Sequence, residues 1–266
     1  MDCFLDLIPI PMLFMRKVLI LGGTGDAVKL ASKLESIPQM EVISSLAGRT
    51  KKPSGLVGQV RIGGFGGAEG LANYLRENAI DFLIDATHPC AGQITINGAI
   101  AAQIAQIPHL MLVRPQWEKI AGDHWIEVES VEAAAQAIPA SVHRVFITSG
   151  RQQLEPFCRR SQVYPATWYL IRSIDPPDIE LPNSLVLLDR GPFSLEQERK
   201  LLREYQIEVI VSKNSGGKAT YAKIIAAREL GIPIVMVQRP QMPEGEKVTS
   251  IEEVILWLSS QLDNRC

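Results

Sequence analysis

Two segments of the chain repeat one pattern, and this repeat decides the fold. The first copy begins Ile80-Asp-Phe-Leu-Ile-Asp-Ala-Thr-His-Pro-Cys90 and ends Ile107-Pro-His-Leu-Met-Leu-Val-Arg-Pro-Gln116. The second begins Ile207-Glu-Val-Ile-Val-Ser-Lys-Asn-Ser-Gly-Gly217 and ends Ile232-Pro-Ile-Val-Met-Val-Gln-Arg-Pro-Gln241, about 125 to 127 positions later. Each copy predicts a strand, a polar turn, a helix and a second strand. Such units build parallel sheets that bind ligands at the carboxyl ends of their strands.

Further strands are predicted upstream of each copy. In the first half they are Lys17–Leu21, Glu41–Leu46 and Gln59–Ile62, and in the second half Arg144–Thr148, a strand near Val163–Ile171, and Leu185–Leu188. The intervening segments are long enough to carry helices, as parallel neighbours require. The sequence therefore predicts an α/β protein of two Rossmann-like, doubly wound, mainly parallel domains with a cleft between them.

The predicted domain boundaries follow from the repeat. Residues 1–14 are apolar but contain two aspartates and two prolines without a preceding basic segment, so we expect a disordered extension and no signal peptide. The first domain is predicted to span residues 15–116. A mixed stretch at 117–128 crosses to the second domain, predicted to span 117–248, and a capped amphipathic helix at 249–266 follows.

Composition excludes several classes of function. The 266 residues are 46% hydrophobic with a formal charge of −2, which does not favour a nucleic-acid or membrane surface. The four cysteines and four histidines show no metal-ligand spacing, so no metal site is predicted. The cysteine pattern and the lack of secretory features predict a cytoplasmic protein with reduced thiols.

Glycine turns follow the strands of the first domain. Gly22-Gly-Thr-Gly25 joins the first strand to the first helix, where backbone amides can hold a phosphate, although a purely structural turn is the alternative. Gly63-Gly-Phe-Gly-Gly67 follows the third strand and is either a tight turn or a flat platform for a cofactor. These turns favour a nucleotide site in the first domain.

The end of the second strand bears on the choice of nucleotide. Dinucleotide-binding folds that prefer NAD place an acidic residue there to hold the ribose hydroxyls. Here the segment is Ser44-Ser-Leu-Ala-Gly-Arg-Thr50, with an arginine and no acid. This favours NADPH, with NADH as the alternative, unless Arg49 is simply a solvated loop residue.

The polar turns of the two copies differ in charge. Asp85-Ala-Thr-His-Pro89 brings an acid, a hydroxyl and an imidazole together, although a cap and a structural histidine would also fit. Lys213-Asn-Ser-Gly-Gly217 is cationic and rich in donors, as are the turns containing Arg151 and Arg190. Either arginine alone could be a surface residue; together they suggest a site for a carboxylate-bearing ligand in the second domain.

Taken in order, these motifs resemble a known family. Ile20-Leu-Gly-Gly-Thr24, Ser45–Thr50, Gly63–Gly67, Asp85–Pro89, Arg190-Gly-Pro-Phe193 and Lys213–Gly217 are similar to the precorrin-6A reductase and cobalt-precorrin-6A reductase family of cobalamin biosynthesis. The resemblance spans roughly residues 17 to 240. It departs from the family pattern at Asp26 and Cys90.

The resemblance implies an oxidoreductase that reduces a ring double bond of a tetrapyrrole with NADPH. The candidate proton donors are Asp85, His88 and Lys213. The expected cofactor-binding residues are Gly22, Gly23, Thr24, Ser45, Ala47, Gly48, Arg49, Gly64, Phe65, Gly66 and Thr87. The expected substrate-binding residues are Arg151, Arg190, Lys213, Asn214, Ser215 and Gly216.

Two other functions are compatible with parts of the sequence. A non-catalytic nucleotide sensor is the principal alternative, and a glycosyltransferase is disfavoured because no acid–base pair is evident. Among partners, we expect the tetrapyrrole itself and neighbouring enzymes of the cobalamin pathway, with no nucleic acid or membrane.

Overall fold

Two parallel sheets form the framework of the protein. The computed structural model describes residues 15–48 and 55–263, so the predicted extension at 1–14, Arg49 and residues 264–266 lie outside the described part of the chain. Within it, each sheet has six strands with helices between them. This arrangement confirms the predicted α/β fold of two Rossmann-like domains.

The helices and strands alternate along the chain. In the first half they are β1 (Arg16–Leu21), α1 (Gly25–Glu35), β2 (Met40–Leu46), β3 (Gln59–Ile62), α2 (Ala68–Glu77), β4 (Phe82–Asp85), α3 (Gly92–Ala105) and β5 (His109–Leu112). In the second they are β6 (Trp125–Val128), α4 (Val131–Ala137), β7 (Arg144–Ile147), α5 (Glu155–Val163), β8 (Trp168–Ser173), β9 (Ser184–Leu188), α6 (Leu195–Glu204), β10 (Val209–Lys213), α7 (Ala222–Leu230), β11 (Ile234–Val237), β12 (Glu246–Val248) and α8 (Ile251–Asp263).

The two sheets share one strand order. The first runs β12-β5-β4-β1-β2-β3 and the second β6-β11-β10-β7-β8-β9. In both, the central pair marks the point where successive connections leave in opposite directions, which opens a crevice at the carboxyl ends of the strands. The repeated segments occupy equivalent places, β4 with β5 and β10 with β11.

Each sheet is completed at one edge by a strand that comes directly after a strand of the other sheet along the chain. After β5 the chain crosses over and adds β6 beside β11, and after β11 it returns and adds β12 beside β5. The crossing stretch at 117–128 therefore contains a strand that the sequence analysis missed. The predicted boundary at 248 also differs from the structure, because Glu246–Val248 pairs with the first sheet.

A second difference concerns residues near 163. A strand was predicted near Val163–Ile171, but α5 occupies Glu155–Val163 and β8 begins only at Trp168. The C-terminal helix agrees with its predicted cap: the Glu253 carboxylate accepts a 2.7 Å hydrogen bond from the Thr249 amide, and the Ser250 hydroxyl accepts one from the Glu253 amide.

Helices cover both faces of each sheet. In β1, Val18 and Ile20 belong to one hydrophobic cluster, and Leu19 and Leu21 to another on the opposite face. Alternation of this kind places successive side chains on opposite sides of a strand. Helix α8 packs on the Val18 side, so the end of the chain completes the first domain. None of the described helices is long and apolar enough to cross a bilayer.

Candidate active site between the two domains

The glycine turn after β1 leaves open space above the start of α1. The Thr24 hydroxyl caps the helix by accepting a 3.1 Å hydrogen bond from the Ala27 amide, and it donates one of 2.8 Å to the Ala86 carbonyl. It thereby fixes the β1 turn to the β4 turn across the crevice. Gly23 has a φ of 106°, and a Cβ atom at Gly23 or Gly25 would meet no atom within 4 Å. This geometry leaves room for a phosphate at a helix N-terminus.

The residues predicted at the end of β2 lie beside this turn. The Ser45 carbonyl accepts a 2.9 Å hydrogen bond from the Gly22 amide, and Ala47 and Gly48 are exposed just beyond the strand. Arg49, on which the preference for NADPH was based, lies outside the described residues.

Arg61 organises the turn at Gly63–Gly67, and the sequence analysis did not single it out. Its guanidinium donates hydrogen bonds of 2.6 and 2.8 Å to the carbonyls of Gly63 and Gly64, and it stacks 3.7 Å from the centre of the Phe65 ring. Phe65 also makes an edge contact with Tyr74 of α2. A Cβ atom at Gly64 or Gly66 would again meet no atom within 4 Å. Arg61 thus fixes the backbone of this turn, and the space beside Gly64 and Gly66 is open.

Asp85 ends β4 with one carboxylate oxygen in use and one without a partner. Oδ1 accepts a 2.9 Å hydrogen bond from the Thr87 amide. Oδ2 is buried and has no hydrogen-bond partner among the described residues. The Thr87 hydroxyl lies 3.3 Å from that of Thr95. A small cavity beside these groups is lined by Asp85, Thr87, His88, Pro89, Thr95, Leu112, Val113 and Met242.

His88 is held as a neutral imidazole. Its Nδ1 accepts a 3.1 Å hydrogen bond from the Cys90 amide, so the proton of the neutral ring is on Nε2. The pKa of His88 is lowered from 6.5 to about 4, chiefly by burial and then by four nearby cations: Arg114, Lys213, Arg239 and Lys223. At neutral pH the side chain is therefore a hydrogen-bond donor through Nε2 and a poor source of protons.

Three of these cations, Arg114, Lys213 and Arg239, form what we call the cationic seam at the carboxyl ends of β5, β10 and β11. Arg239, which follows β11, donates hydrogen bonds to the carbonyls of Asn214, Arg114 and Pro115 at 2.8, 2.8 and 3.2 Å. Arg114, which follows β5, forms an ion pair with Asp26 of α1 at 3.4 Å. Sequence reasoning missed both arginines as site residues, although they occupy equivalent places in the repeated Arg-Pro-Gln.

The residues of the cationic turn after β10 make different kinds of contact. Lys213 contributes to the seam. The Asn214 side chain instead accepts a hydrogen bond from the Trp117 amide at 2.8 Å and donates one to the Trp117 carbonyl at 3.0 Å, so it fastens the crossing segment. Ser215 donates its amide to the Lys213 carbonyl at 2.7 Å. Gly216, with a φ of 67°, packs so closely that a Cβ atom would lie 2.1 Å from the Pro115 carbonyl oxygen. Asn214 and Gly216 therefore serve the interface between the halves.

The other two predicted cations have different surroundings. Arg151 forms an ion pair with Asp178 at 2.7 Å, with only 14% of its side chain exposed. Arg190 is exposed beyond the end of β9, and its amide donates to the Asp189 carboxylate at 2.7 Å. Neither is among the charges that lower the pKa of His88. Arg151 and Arg190 thus lie outside the seam of Lys213, Arg114 and Arg239, and their role in substrate binding stays a prediction.

Comparison with known proteins places this architecture in a family. The sequence model described as precorrin-6x reductase CbiJ/CobK matches residues 17–259. A precorrin-6A reductase of Rhodococcus erythropolis is 47% identical over 92% of this chain and 98% of its own length. A cobalt-precorrin-6A reductase of Methanothermobacter thermautotrophicus is 30% identical over 87% of this chain and 79% of its own length.

A solved structure agrees with the sequence comparisons. The structure described as CobK precorrin-6A reductase superposes with a TM-score of 0.85 at 38% identity, covering 92% of this chain and 97% of the other. The fold, the order of the turns and these matches lead to one assignment: the chain belongs to the precorrin-6x reductase family, CbiJ/CobK.

Proposed function

We propose that the protein reduces a ring double bond of precorrin-6A with NADPH, giving precorrin-6B in cobalamin biosynthesis. Family membership makes the chain an oxidoreductase that acts on a ring carbon–carbon double bond. The cobalt-free substrate is favoured because the precorrin-6A reductase of Rhodococcus erythropolis is 47% identical to this chain. The cobalt-precorrin-6A reductase of Methanothermobacter thermautotrophicus is 30% identical. The observation that carries the proposal is the meeting of an open glycine turn and the cationic seam around His88.

The first domain has the features that a nicotinamide nucleotide needs. The turn at Gly22–Gly25 and the platform at Gly63–Gly67 would hold the nucleotide, with Ser45, Ala47, Gly48 and Arg49 at the ribose and Thr87 near the crevice. The open space above Gly23, Gly25, Gly64 and Gly66 fits such a ligand. When bound, this cofactor supplies a hydride.

The cationic seam suits a polycarboxylate macrocycle. Lys213 and Arg114 present charge at the carboxyl ends of β10 and β5, and His88 can donate a neutral hydrogen bond from Nε2. Arg190, which is exposed beyond the end of β9, is the expected contact of a peripheral carboxylate. Arg151 would have to exchange Asp178 for the substrate. Charge-assisted hydrogen bonds of this kind orient a large anion before reaction.

The proposal is tested with the purified protein, NADPH and precorrin-6A. We expect nicotinamide absorbance to fall only when both are present, with a product two hydrogens heavier than the substrate. Unchanged absorbance with freshly prepared macrocycle would contradict the function. From the cysteine pattern we expect the protein in the cytoplasm. A pull-down would reveal any association with neighbouring enzymes of the pathway.

A further inference from the structure

A buried carboxylate with an unused oxygen lines a cavity to which the proposed function assigns no ligand group. Asp85, at the end of β4, is 3% exposed, and its Oδ2 has no hydrogen-bond partner among the described residues. The same residue lines the cavity beside Thr87 and His88. A buried carboxylate oxygen without a donor is costly, so a ligand that brings an N–H or O–H group to it gains a strong hydrogen bond.

The cavity is small, and its lining is only partly polar. Its closed part has a volume of about 10 Å³, which is room for one water-sized group and too little for a macrocycle. The hydroxyls of Thr87 and Thr95 lie 3.3 Å apart, so when one donates to the other, one hydroxyl proton is left for a further acceptor. Apolar side chains form much of the remaining lining: Pro89, Leu112, Val113 and Met242. The cavity therefore combines an anionic acceptor and a hydroxyl donor with an apolar wall.

The place of Asp85 in the sheet matches one half of the proposed nucleotide. Asp85 pairs with Leu21, the last residue of β1, which directly precedes the glycine turn proposed to hold the phosphates. Strand β2 lies on the opposite side of β1 and leads into the segment expected at the ribose of the adenosine half. A dinucleotide whose phosphates lie at the central turn extends in both directions along the carboxyl edge of the sheet. Its nicotinamide half therefore belongs on the β4 side, beside Asp85.

We propose that the Asp85 cavity is the subsite for the carboxamide group of the nicotinamide ring. This inference rests on the proposed function. Oδ2 of Asp85 accepts one N–H of the carboxamide, and the spare hydroxyl proton of the Thr87–Thr95 pair is donated to the carboxamide oxygen. The amide nitrogen is the one water-sized group that the cavity admits. The carboxamide is attached to the carbon next to the one that carries the hydride, so Asp85 fixes the orientation of the ring and transfers no proton.

The charge of Asp85 also determines which groups the cavity rejects. A carboxylate of the macrocycle would bring a second negative charge next to a buried carboxylate, whereas the cationic seam attracts it. The same repulsion applies to a nucleotide that carries nicotinic acid in place of nicotinamide. The two nucleotides differ only in a carboxylate for a carboxamide. Asp85 should therefore select the amide form by accepting its N–H and by repelling the acid form.

Calorimetry with NADP⁺ and with nicotinic acid adenine dinucleotide phosphate tests the inference without relying on turnover. The unchanged protein should bind NADP⁺ about 10-fold or more tightly than the acid form, because a hydrogen bond to a charged group is replaced by repulsion. Asp85→Asn should lose or invert this preference. The Thr87 amide holds the asparagine oxygen in the place of Oδ1, so the asparagine nitrogen can donate to the carboxylate but cannot accept from the carboxamide. Glu77→Gln, at an exposed position of α2, also removes one negative charge and should keep the preference.

A second variant keeps the test independent of the folding of Asp85→Asn. Thr87→Val removes a hydroxyl with little change of shape, so both nucleotides should bind about 2- to 10-fold more weakly while the preference for NADP⁺ is kept. The inference is overturned if the unchanged protein binds the two nucleotides equally, as it would if water filled the cavity. It is also overturned if folded Asp85→Asn keeps the preference, or if Thr87→Val binds NADP⁺ as tightly as the unchanged protein does. If the unchanged protein binds neither nucleotide, the proposed function has failed first, which is a distinct result.

Discussion

Arg239 donates a 2.8 Å hydrogen bond from Nη1 to the carbonyl oxygen of Arg114, the residue at the equivalent position of the other repeat. The guanidinium also reaches the carbonyls of Asn214 and Pro115. Both arginines follow the second strand of their repeat, β5 or β11, where the chain leaves for the other sheet. The two crossing segments therefore hold each other, and the site is built where they touch.

Loss of this contact should destabilise the protein. Arg239→Met leaves three carbonyls without their charged donor, and we expect the free energy of unfolding to fall by about 2–3 kcal/mol. Arg239→Lys keeps the charge but cannot donate to all three carbonyls, so its free energy of unfolding should lie between those of Arg239→Met and the unchanged protein. Urea denaturation measures both. Equal midpoints for the methionine variant and the unchanged protein would contradict this structural role.

The state of His88 predicts how stability depends on pH. Its pKa is about 4 in the folded chain and near 6.5 when unfolded, so the unfolded state binds more protons between these values. The contribution of His88 to the free energy of unfolding should therefore be complete above about pH 6.5. It should be lost as the pH falls towards 4, which lowers the free energy of unfolding by up to about 3 kcal/mol.

The matched variant is His88→Gln, which keeps an N–H donor near the position of Nε2 but does not titrate. Its unfolding free energy should depend less on pH in this window, and its activity at neutral pH should exceed that of His88→Ala. Equal pH slopes for His88→Gln and the unchanged protein would show that His88 does not titrate as described.

The repeat made the central strands predictable from sequence, but not the outermost ones. Strands β4 and β10 are aliphatic runs followed by polar turns, a pattern with few alternatives. By contrast, β12 has three residues, Glu246–Val248, and its pairing with β5 is decided by the path of the chain after Arg239. Local patterns cannot show which of two similar sheets receives such a short edge strand.

Only part of the candidate site could be predicted from the sequence. Glycines and polar residues at strand ends are visible in sequence because parallel topology brings them to one edge. The burial of Lys223 could not be predicted from the sequence, since a lysine at the start of a helix is ordinarily exposed. Asn214 was expected at the substrate because of its turn, yet its amide is used by Trp117. Only the packing of the crossing segment distinguishes these roles.

Asp85 offers a test that separates ligand binding from proton transfer. Asp85→Asn keeps an oxygen for the Thr87 amide but replaces the partnerless Oδ2, which can accept a hydrogen bond from a ligand in the adjoining cavity. We expect kcat/KM to fall about tenfold, equivalent to about 1.4 kcal/mol. The affinity for the ligand should weaken in the same proportion, because the lost oxygen accepts a hydrogen bond and transfers no proton. A fall in kcat/KM with undiminished binding of NADPH and macrocycle would instead favour Asp85 as the proton donor.

Arg49 is predicted to set the preference between the two nicotinamide nucleotides. Arg49→Ala should lower the ratio of kcat/KM for NADPH to that for NADH by about 10-fold or more, since a charge-assisted hydrogen bond contributes about 1.5–3 kcal/mol. Lys29→Met, at an exposed position of α1, is the control for loss of one positive charge. An unchanged ratio in Arg49→Ala would contradict the assignment.

Gly25 allows the phosphate site to be tested without disturbing the fold. It is the first residue of α1, its φ is not positive, and an added Cβ atom would meet no protein atom within 4 Å. Gly25→Ala should therefore leave the free energy of unfolding unchanged or slightly raised, since alanine favours helix. If a phosphate approaches the first turn closely, the methyl group should weaken NADPH binding, which calorimetry measures directly. Gly23→Ala is the comparison, because its φ of 106° makes a side chain strained and should cost stability as well as affinity. If Gly25→Ala binds NADPH as tightly as the unchanged protein does, a phosphate site at this turn is contradicted, whatever the affinity of Gly23→Ala.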